Sequence, residues 1–225
     1  MDKNKNNFLE GKSCLFIGSP NCEYSKRCVE ILRSYNLIIT LVESSDRFRS
    51  IPSALKKWKG DFIFSYRNYW LLPKSLLDSA KLLAINFHPG TPDFPGSGSY
   101  SWAIYQKAKK FGITVHIMNE RFDNGTILKI YEFDIFDGLN VNQLIEMSKE
   151  FSVDAFGSYI KHISIQNYSS ILDIVNYKSP YSWSLNIRKI KDLDRMRRIS
   201  TNLNEEEIEL RRKAFHMEKY PLVIE

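Results

Sequence analysis

Only four histidines and three cysteines occur among the 225 residues of this chain. No apolar run reaches the roughly 18–20 residues that a membrane-spanning helix needs. Each shortage narrows the reading. Cys14, Cys22 and Cys28 are odd in number and lack zinc-type spacing, so reduced thiols in a cytoplasm are expected and not a disulfide framework. No two histidines stand at the spacing that grips a metal from one helix face, so no metal site is expected. The opening Met-Asp-Lys-Asn-Lys-Asn-Asn is polar and has no apolar stretch of a secretory leader, so no signal peptide is expected. A phosphate loop is also missing. There is no Gly-Lys-Ser/Thr, and Gly96-Ser97-Gly98 lacks the further glycine and the strand-to-helix placement of a dinucleotide fingerprint. No internal repeat or low-complexity tract appears.

What is present is ordinary in bulk, with 43% apolar and 26% charged residues, as in soluble globular proteins. The length allows one sizeable core, or a core with a small appendage. A formal net charge of +6 suits an anionic partner. Nucleic acid, a phosphorylated metabolite or a polyanionic cofactor would each satisfy it, and charge does not choose among them.

The informative stretch is Leu82-Leu-Ala-Ile-Asn-Phe-His-Pro-Gly90. An apolar run closed by Pro-Gly reads as a buried parallel strand. Side chains alternate along a strand, so Asn86 and His88 share one face and Phe87 takes the other. Ligands of open α/β sheets bind beyond the carboxyl ends of the strands, which makes this amide and imidazole a candidate active site.

Strands and helices alternate up to that point. Strands are expected at 14–18, 37–42 (buried) and 62–66. Helices are expected at about 25–35, 48–58 and 73–80, after a solvated tail over 1–11. Beyond it, 90–99 is a proline- and glycine-rich loop that reads as a flexible cover. Ser99 is placed to cap a helix over 100–110. Strands at 112–118 and 126–136 flank Asn124-Gly125, a tight-turn signal for an antiparallel pair at the sheet edge. A long helix follows over 139–163. From 166 the composition turns to Ser, Asn, Tyr and then charged residues, with a last helix from Asn204 to about His216. The whole is α/β, a Rossmann-like and mostly parallel sheet flanked by helices. The expected division is a catalytic domain over 1–165 with an appendage over 166–225 packed on it.

Pattern alone leaves most single residues with ordinary explanations. Asp123 before Asn-Gly is a turn residue. His116 in an apolar strand reads as a core or sheet-face histidine, and His162 and His216 as peripheral. The basic run of Arg188, Lys189, Lys191, Arg195, Arg197 and Arg198 reads mainly as a solvated helix face, with a few members free to bind phosphate.

Four motifs in order go further. Asn86-Phe87-His88-Pro89-Gly90, Trp102-Ala103-Ile104, Gly112-Ile113-Thr114-Val115-His116 and Asp123-Asn124-Gly125-Thr126-Ile127-Leu128 resemble the formyltransferases that use 10-formyltetrahydrofolate. The resemblance spans about residues 61–136. It implies a catalytic set of Asn86, His88 and Asp123 in a Rossmann-like fold that returns Asp123 to His88. It further implies that Ser65, Tyr66, Arg67, Leu71, Gly90 and Pro92 hold the folate, and that Tyr100, Trp102, Arg188, Lys189 and Lys191 serve the acceptor. The loop Thr91-Pro92-Asp93-Phe94-Pro95-Gly96 departs from the Leu-Pro and Arg-Gly pattern common in the family. The 64–67 and 185–198 stretches look more like the small sugar-nucleotide enzymes, and the length leaves no room for the C-terminal barrel of methionyl-tRNA formyltransferases. The expected reaction is formylation of a nucleotide-linked amino sugar, such as dTDP-4-amino-4,6-dideoxyglucose, for O-antigen or lipopolysaccharide synthesis. A cytoplasmic homodimer working without metal, membrane or nucleic acid goes with that expectation. Formylation of glycinamide ribonucleotide or Met-tRNA, hydrolysis of formylfolate, and a non-catalytic nucleotide- or nucleic-acid-binding module stay open beside it.

Overall fold

The computed structural model describes residues 7–44 and 51–225. Six strands form one sheet: β1 (Ser13–Gly18), β2 (Ile38–Glu43), β3 (Gly60–Tyr66), β4 (Ala80–Pro89), β5 (Lys110–Ile117) and β6 (Ile127–Asp134). Their order is β2-β1-β3-β4-β5-β6. The first four run parallel, while β5 lies antiparallel to both β4 and β6. The organising strand β4 is therefore central, with a parallel neighbour on one side and an antiparallel one on the other.

Register assigns the two faces. Tyr66, Phe87 and Val115 lie side by side on one face, and Ser65, Asn86 and His116 on the other. Helices α1 (Glu23–Ser34) and α4 (Val141–Ser164) cover the first face. Phe156 of α4 is the hub there, with ring centroids 6.0 Å from Phe16, 6.2 Å from Phe64, 6.0 Å from Tyr66 and 4.6 Å from Phe87. Helix α4 starts cleanly because Asn140 accepts from Gln143 N while the Gln143 side chain accepts from Asn140 N, a reciprocal cap. On the second face Leu15, Ile17 and Ile63 pack against Leu55, Trp70 and Leu76, with α2 (Lys74–Leu77) supplying the last.

The chain beyond α4 forms α5 (Tyr168–Val175), α6 (Ile190–Arg197), α7 (Glu205–Phe215) and a two-stranded pair, β7 (Arg198–Ile199) with β8 (Val223–Ile224). Leu193, Met196, Ala214 and Phe215 from this part share a core with Phe94, Trp102 and Phe111. Asn204 accepts from Glu207 N at 2.8 Å, the cap that the sequence suggests.

Several expectations change. β2 is an edge strand and not a buried one, with Ile38 64% and Leu41 50% exposed, because the strand order leaves β2 outermost. The described end of the solvated tail is anchored: Leu9 is fully buried and Phe8 N donates to Ser164 O at 2.8 Å. Of the helix expected over 48–58, residues 48–50 lie outside the described residues and the rest is a 3₁₀ turn, Ser53–Lys57. Helix α3 (Ser99–Tyr105) stops early because Lys107 adopts a left-handed φ of 52° before β5 begins. It is entered through Gly98, and the Ser99 hydroxyl donates to Pro89 O instead of capping. Among the described residues no helix is long and apolar enough to cross a membrane.

Phe156→Ala should cost about 3–5 kcal/mol, because it empties the position where four aromatic rings converge. Urea unfolding read by far-UV circular dichroism checks this, and a loss under about 1 kcal/mol would contradict the assignment of the hub.

Candidate active site

Asn86 and His88 sit at the carboxyl end of β4, where Pro89 and Gly90 stop the strand. The strand end is pinned by Thr114 Oγ1 donating to Gly90 O at 2.6 Å, and by the Ser99 bond to Pro89 O. Gly90 also has a steric role. A Cβ there would stand 2.6 Å from His88 Nε2, so any larger residue would press on the imidazole.

The fold supplies the link that pattern could not. The connection from β5 to β6 carries Asp123 back over the sheet end, where it is 8% exposed and holds a left-handed φ of 43°. Gly125 makes the return possible, since a Cβ at that position would lie 1.7 Å from Ile117 O. Asp123 Oδ1 stands 3.2 Å from His88 Nδ1 and 3.7 Å from His116 Nε2, and Oδ2 accepts from Gly96 N at 2.7 Å. The turn residue of the sequence is thus the centre of the site. The antiparallel pairing of β5 and β6 is as expected, but a longer excursion replaces the tight turn.

His116 is a buried sheet-face histidine, as read, and it also adjoins the candidate site, with Nδ1 donating to Ile117 O at 2.9 Å and Nε2 accepting from Asn86 Nδ2 at 3.1 Å. The carbonyl can only accept, which assigns the ring proton to Nδ1 in this arrangement. A signal was available, because Thr114 and His116 repeat on β5 the two-residue polar spacing of Asn86 and His88 on β4. His88 meets acceptors at both nitrogens, Asp123 Oδ1 and, at 3.1 Å, Phe94 O. Burial opposes ionisation of Asp123, but the two imidazoles beside it, His88 foremost, outweigh it and hold the carboxyl well below the usual carboxylate range.

The other predicted residues divide. Ser65 is buried on the Asn86 face and Gly90 lies against His88. Arg67 is half-buried just past the end of β3, and Leu71 is 44% exposed on the loop that follows. Pro92 is buried, and its carbonyl accepts from Ser184 N at 2.9 Å. Tyr66 belongs to the opposite face, its ring in the core and its hydroxyl 2.5 Å from Ser152 Oγ. Trp102 is 3% exposed and packs on Phe215, so its ring offers a ligand no surface. Tyr100 is packed 4.9 Å from Phe111. The Tyr66 ring is held by Phe16 and Phe156, and the Trp102 ring by the core it shares with α6 and α7, whereas Tyr100 stays half-buried. Arg188 stacks over Trp102 at 4.3 Å, while Lys189 and Lys191 are exposed at the start of α6. The 90–98 loop is not free: Gly96 holds Asp123, and Ser97 N donates to Arg188 O at 2.8 Å. Trp183, to which the sequence lends no signal, lies against both His88 and His116. Among the described residues no group of three or more His, Cys, Asp or Glu could hold a metal ion.

A carboxylate with a depressed pKa stabilises the fold above the unfolded value near 4, and that contribution is lost as pH falls toward the folded pKa. The stability gap between wild type and Asp123→Asn should hold from pH 7 to 5 and narrow below about pH 4. Urea midpoints across that range check it, and a gap that stays constant in acid would contradict an ionised, paired Asp123.

The description "Formyl transferase" belongs to the family model that matches residues 22–159, more than half of the chain. Methionyl-tRNA formyltransferase of Clostridium novyi (strain NT) is 34% identical over 100 residues, covering 43% of this chain and 32% of that protein. The chain thus spans about a third of the length of the curated relatives it matches first. Among solved structures, a 4-N formyltransferase from Francisella tularensis superposes with a TM-score of 0.71 at 19% identity, over 95% of this chain and 90% of that one. An N-formyltransferase from Helicobacter canadensis, in complex with folinic acid and dTDP-3-aminofucose, gives 0.69 at 15% identity, over 95% and 84%. At such identities these two show a shared fold. The family match spans Asn86, His88, His116 and Asp123, and on it the chain belongs to the formyl transferase family.

Proposed function

We propose that this chain transfers the formyl group of 10-formyltetrahydrofolate to the amine of a nucleotide-linked amino sugar such as dTDP-4-amino-4,6-dideoxyglucose. The observation that carries the reading is the buried His88–Asp123 contact at 3.2 Å, with Asn86 on the same strand face. As the amine attacks the formyl carbon, charge gathers on the formyl oxygen. Asn86 Nδ2 has a second N–H beyond the one His116 accepts, and His88 Nε2 donates once it leaves Phe94 O, so both can stabilise that oxygen. Asp123, ionised and buried, orients His88 and accepts the amine proton directly or through water, for return toward the folate nitrogen.

The surroundings fit a folate. Ser65 lies on the Asn86 face, Leu71 presents exposed apolar surface on the loop after β3, and Gly90 leaves room for the His88 imidazole. Arg67 and Leu71 carry the accessible surface of the proposed folate side, with Ser65, Gly90 and Pro92 buried beneath it. Arg188, Lys189 and Lys191 supply positive charge for a pyrophosphate, half-buried Tyr100 stays with the proposed acceptor side, and Tyr66 and Trp102 are left to the core. The complex of the Helicobacter canadensis enzyme with folinic acid and a dTDP-amino sugar supports the sugar over other acceptors. A tRNA acceptor is favoured instead by the sequence relatives, which are methionyl-tRNA formyltransferases. The proposal includes a cytoplasmic homodimer acting in O-antigen synthesis, with a catalytic domain over 1–165 and an appendage over 166–225.

Tetrahydrofolate release, followed with and without the dTDP-amino sugar, tests the reading. Release that requires the sugar is the expected result. Release only with initiator Met-tRNA would move the acceptor, and release without any acceptor would identify a hydrolase. His88→Ala and Asp123→Asn should each lower turnover about 10²–10⁴-fold while the fold is retained. Near-normal turnover in either purified variant would remove that residue from the chemistry.

A further inference from the structure

The connection between α5 and α6 crosses the open end of the site as a strap. Ser184 N donates to Pro92 O at 2.9 Å, Arg188 N to Pro95 O at 3.1 Å, and Ser97 N to Arg188 O at 2.8 Å. These bonds tie the strap to the loop after β4. On the other side Trp183 Nε1 donates to Gly125 O at 2.8 Å, which ties it to the loop that carries Asp123. Trp183 therefore joins the two loops that complete the site.

Its ring plane is roughly perpendicular to both imidazoles, with centroids 5.5 Å from His88 at 77° and 5.0 Å from His116 at 87°. His88 and His116 are 4% and 2% exposed, whereas Trp183 is itself half-buried. The indole is thus a layer between the two histidines and solvent. Hydrogen-bond donors aimed at a developing charge act strongly only where water is kept out.

We propose that Trp183 is a positioning residue that shields the His88–His116–Asp123 cluster from water and so keeps formyl transfer coupled to the amine acceptor. The inference rests on the formyl-transfer reading above. Water and an amine compete for the same formyl carbon. If water attacks, its oxygen bonds to that carbon and the carbon–nitrogen bond to the folate breaks. The electron pair and one proton go to the folate nitrogen, and the released formic acid ionises to formate. No further reactant is needed, so access of water alone sets the leak.

The test compares formate with formylated acceptor, both counted against tetrahydrofolate released, in wild type, Trp183→Phe, Trp183→Leu and Trp183→Ala. The formate fraction should rise about tenfold or more in Trp183→Ala and stay low in Trp183→Phe, which keeps a ring but loses the N–H; tenfold corresponds to about 1.4 kcal/mol. Trp183→Leu should fall between them, and it decides the matter if the alanine variant does not fold. A readout that does not depend on turnover is the pair of His88 and His116 Cε1–H resonances, which should both shift when the indole is removed. If wild type formylates an amine and the folded variants keep its formate fraction, this inference fails alone. Unmoved histidine resonances would overturn it too. A wild type that formylates none of the amines overturns the formyl-transfer reading and this inference with it.

Discussion

One buried carboxylate holds the site together. Asp123 reaches the end of the sheet from the β5–β6 connection and meets His88 from β4, His116 from β5 and the Gly96 N–H from the loop after β4. A carboxylate at 8% exposure is costly unless partners surround it, so the three segments are constrained to meet at one place. What these contacts add to net stability is secondary, since desolvation of the carboxylate offsets much of it. Its structural effect is to set the imidazole of His88 and to draw the loop from Gly90 to Gly98 across the strand end. Gly125 is part of the same constraint, because only a residue without a Cβ lets Ile117 O approach so closely.

Around β4 the aromatic cluster and the candidate site take opposite faces of the sheet. Along β4 the alternation sends Phe87 into the aromatic cluster around Phe156 and sends Asn86 and His88 the other way. Residues on the packed face are confined by their neighbours, which fixes where the strand presents Asn86 and His88. This suits oxyanion stabilisation, where donors must already be aimed before charge develops. The C-terminal part adds a second support. Its apolar residues share a core with Trp102 and Phe94, and its strap closes over the histidines. A segment with the polar and charged composition of a surface appendage therefore stands over the candidate site.

How much of this could be read beforehand differs by element. Strands with dense apolar runs, β1, β3 and β4, were legible because burial on both faces leaves its mark in composition. β2 has the same composition and yet lies at the edge, since a β-branched run reports strand preference but not position in the sheet. Tyr66 and Trp102 illustrate a different limit. Trp102 stands within one of the four motifs and Tyr66 in the 64–67 stretch, and in both the ring packs in the core because large apolar neighbours surround it. His116 was half legible: its spacing with Thr114 was in view, but a histidine in an apolar strand has a bland explanation until a partner is found. Trp183 carried no signal, because contact with His88 depends on a strap folded back from far along the chain.

By itself the sequence determined the strand–helix alternation, the face shared by Asn86 and His88, and, through four ordered motifs, the family. These follow from local periodicity and residue identity, which the linear chain records directly. Only the tertiary structure decided that β4 pairs antiparallel with β5, how Asp123 and His116 meet at His88, and that Trp183 lies against both histidines. Those facts depend on contacts between residues distant in sequence, set by close packing and by the need to pair a buried charge, and no local pattern encodes them.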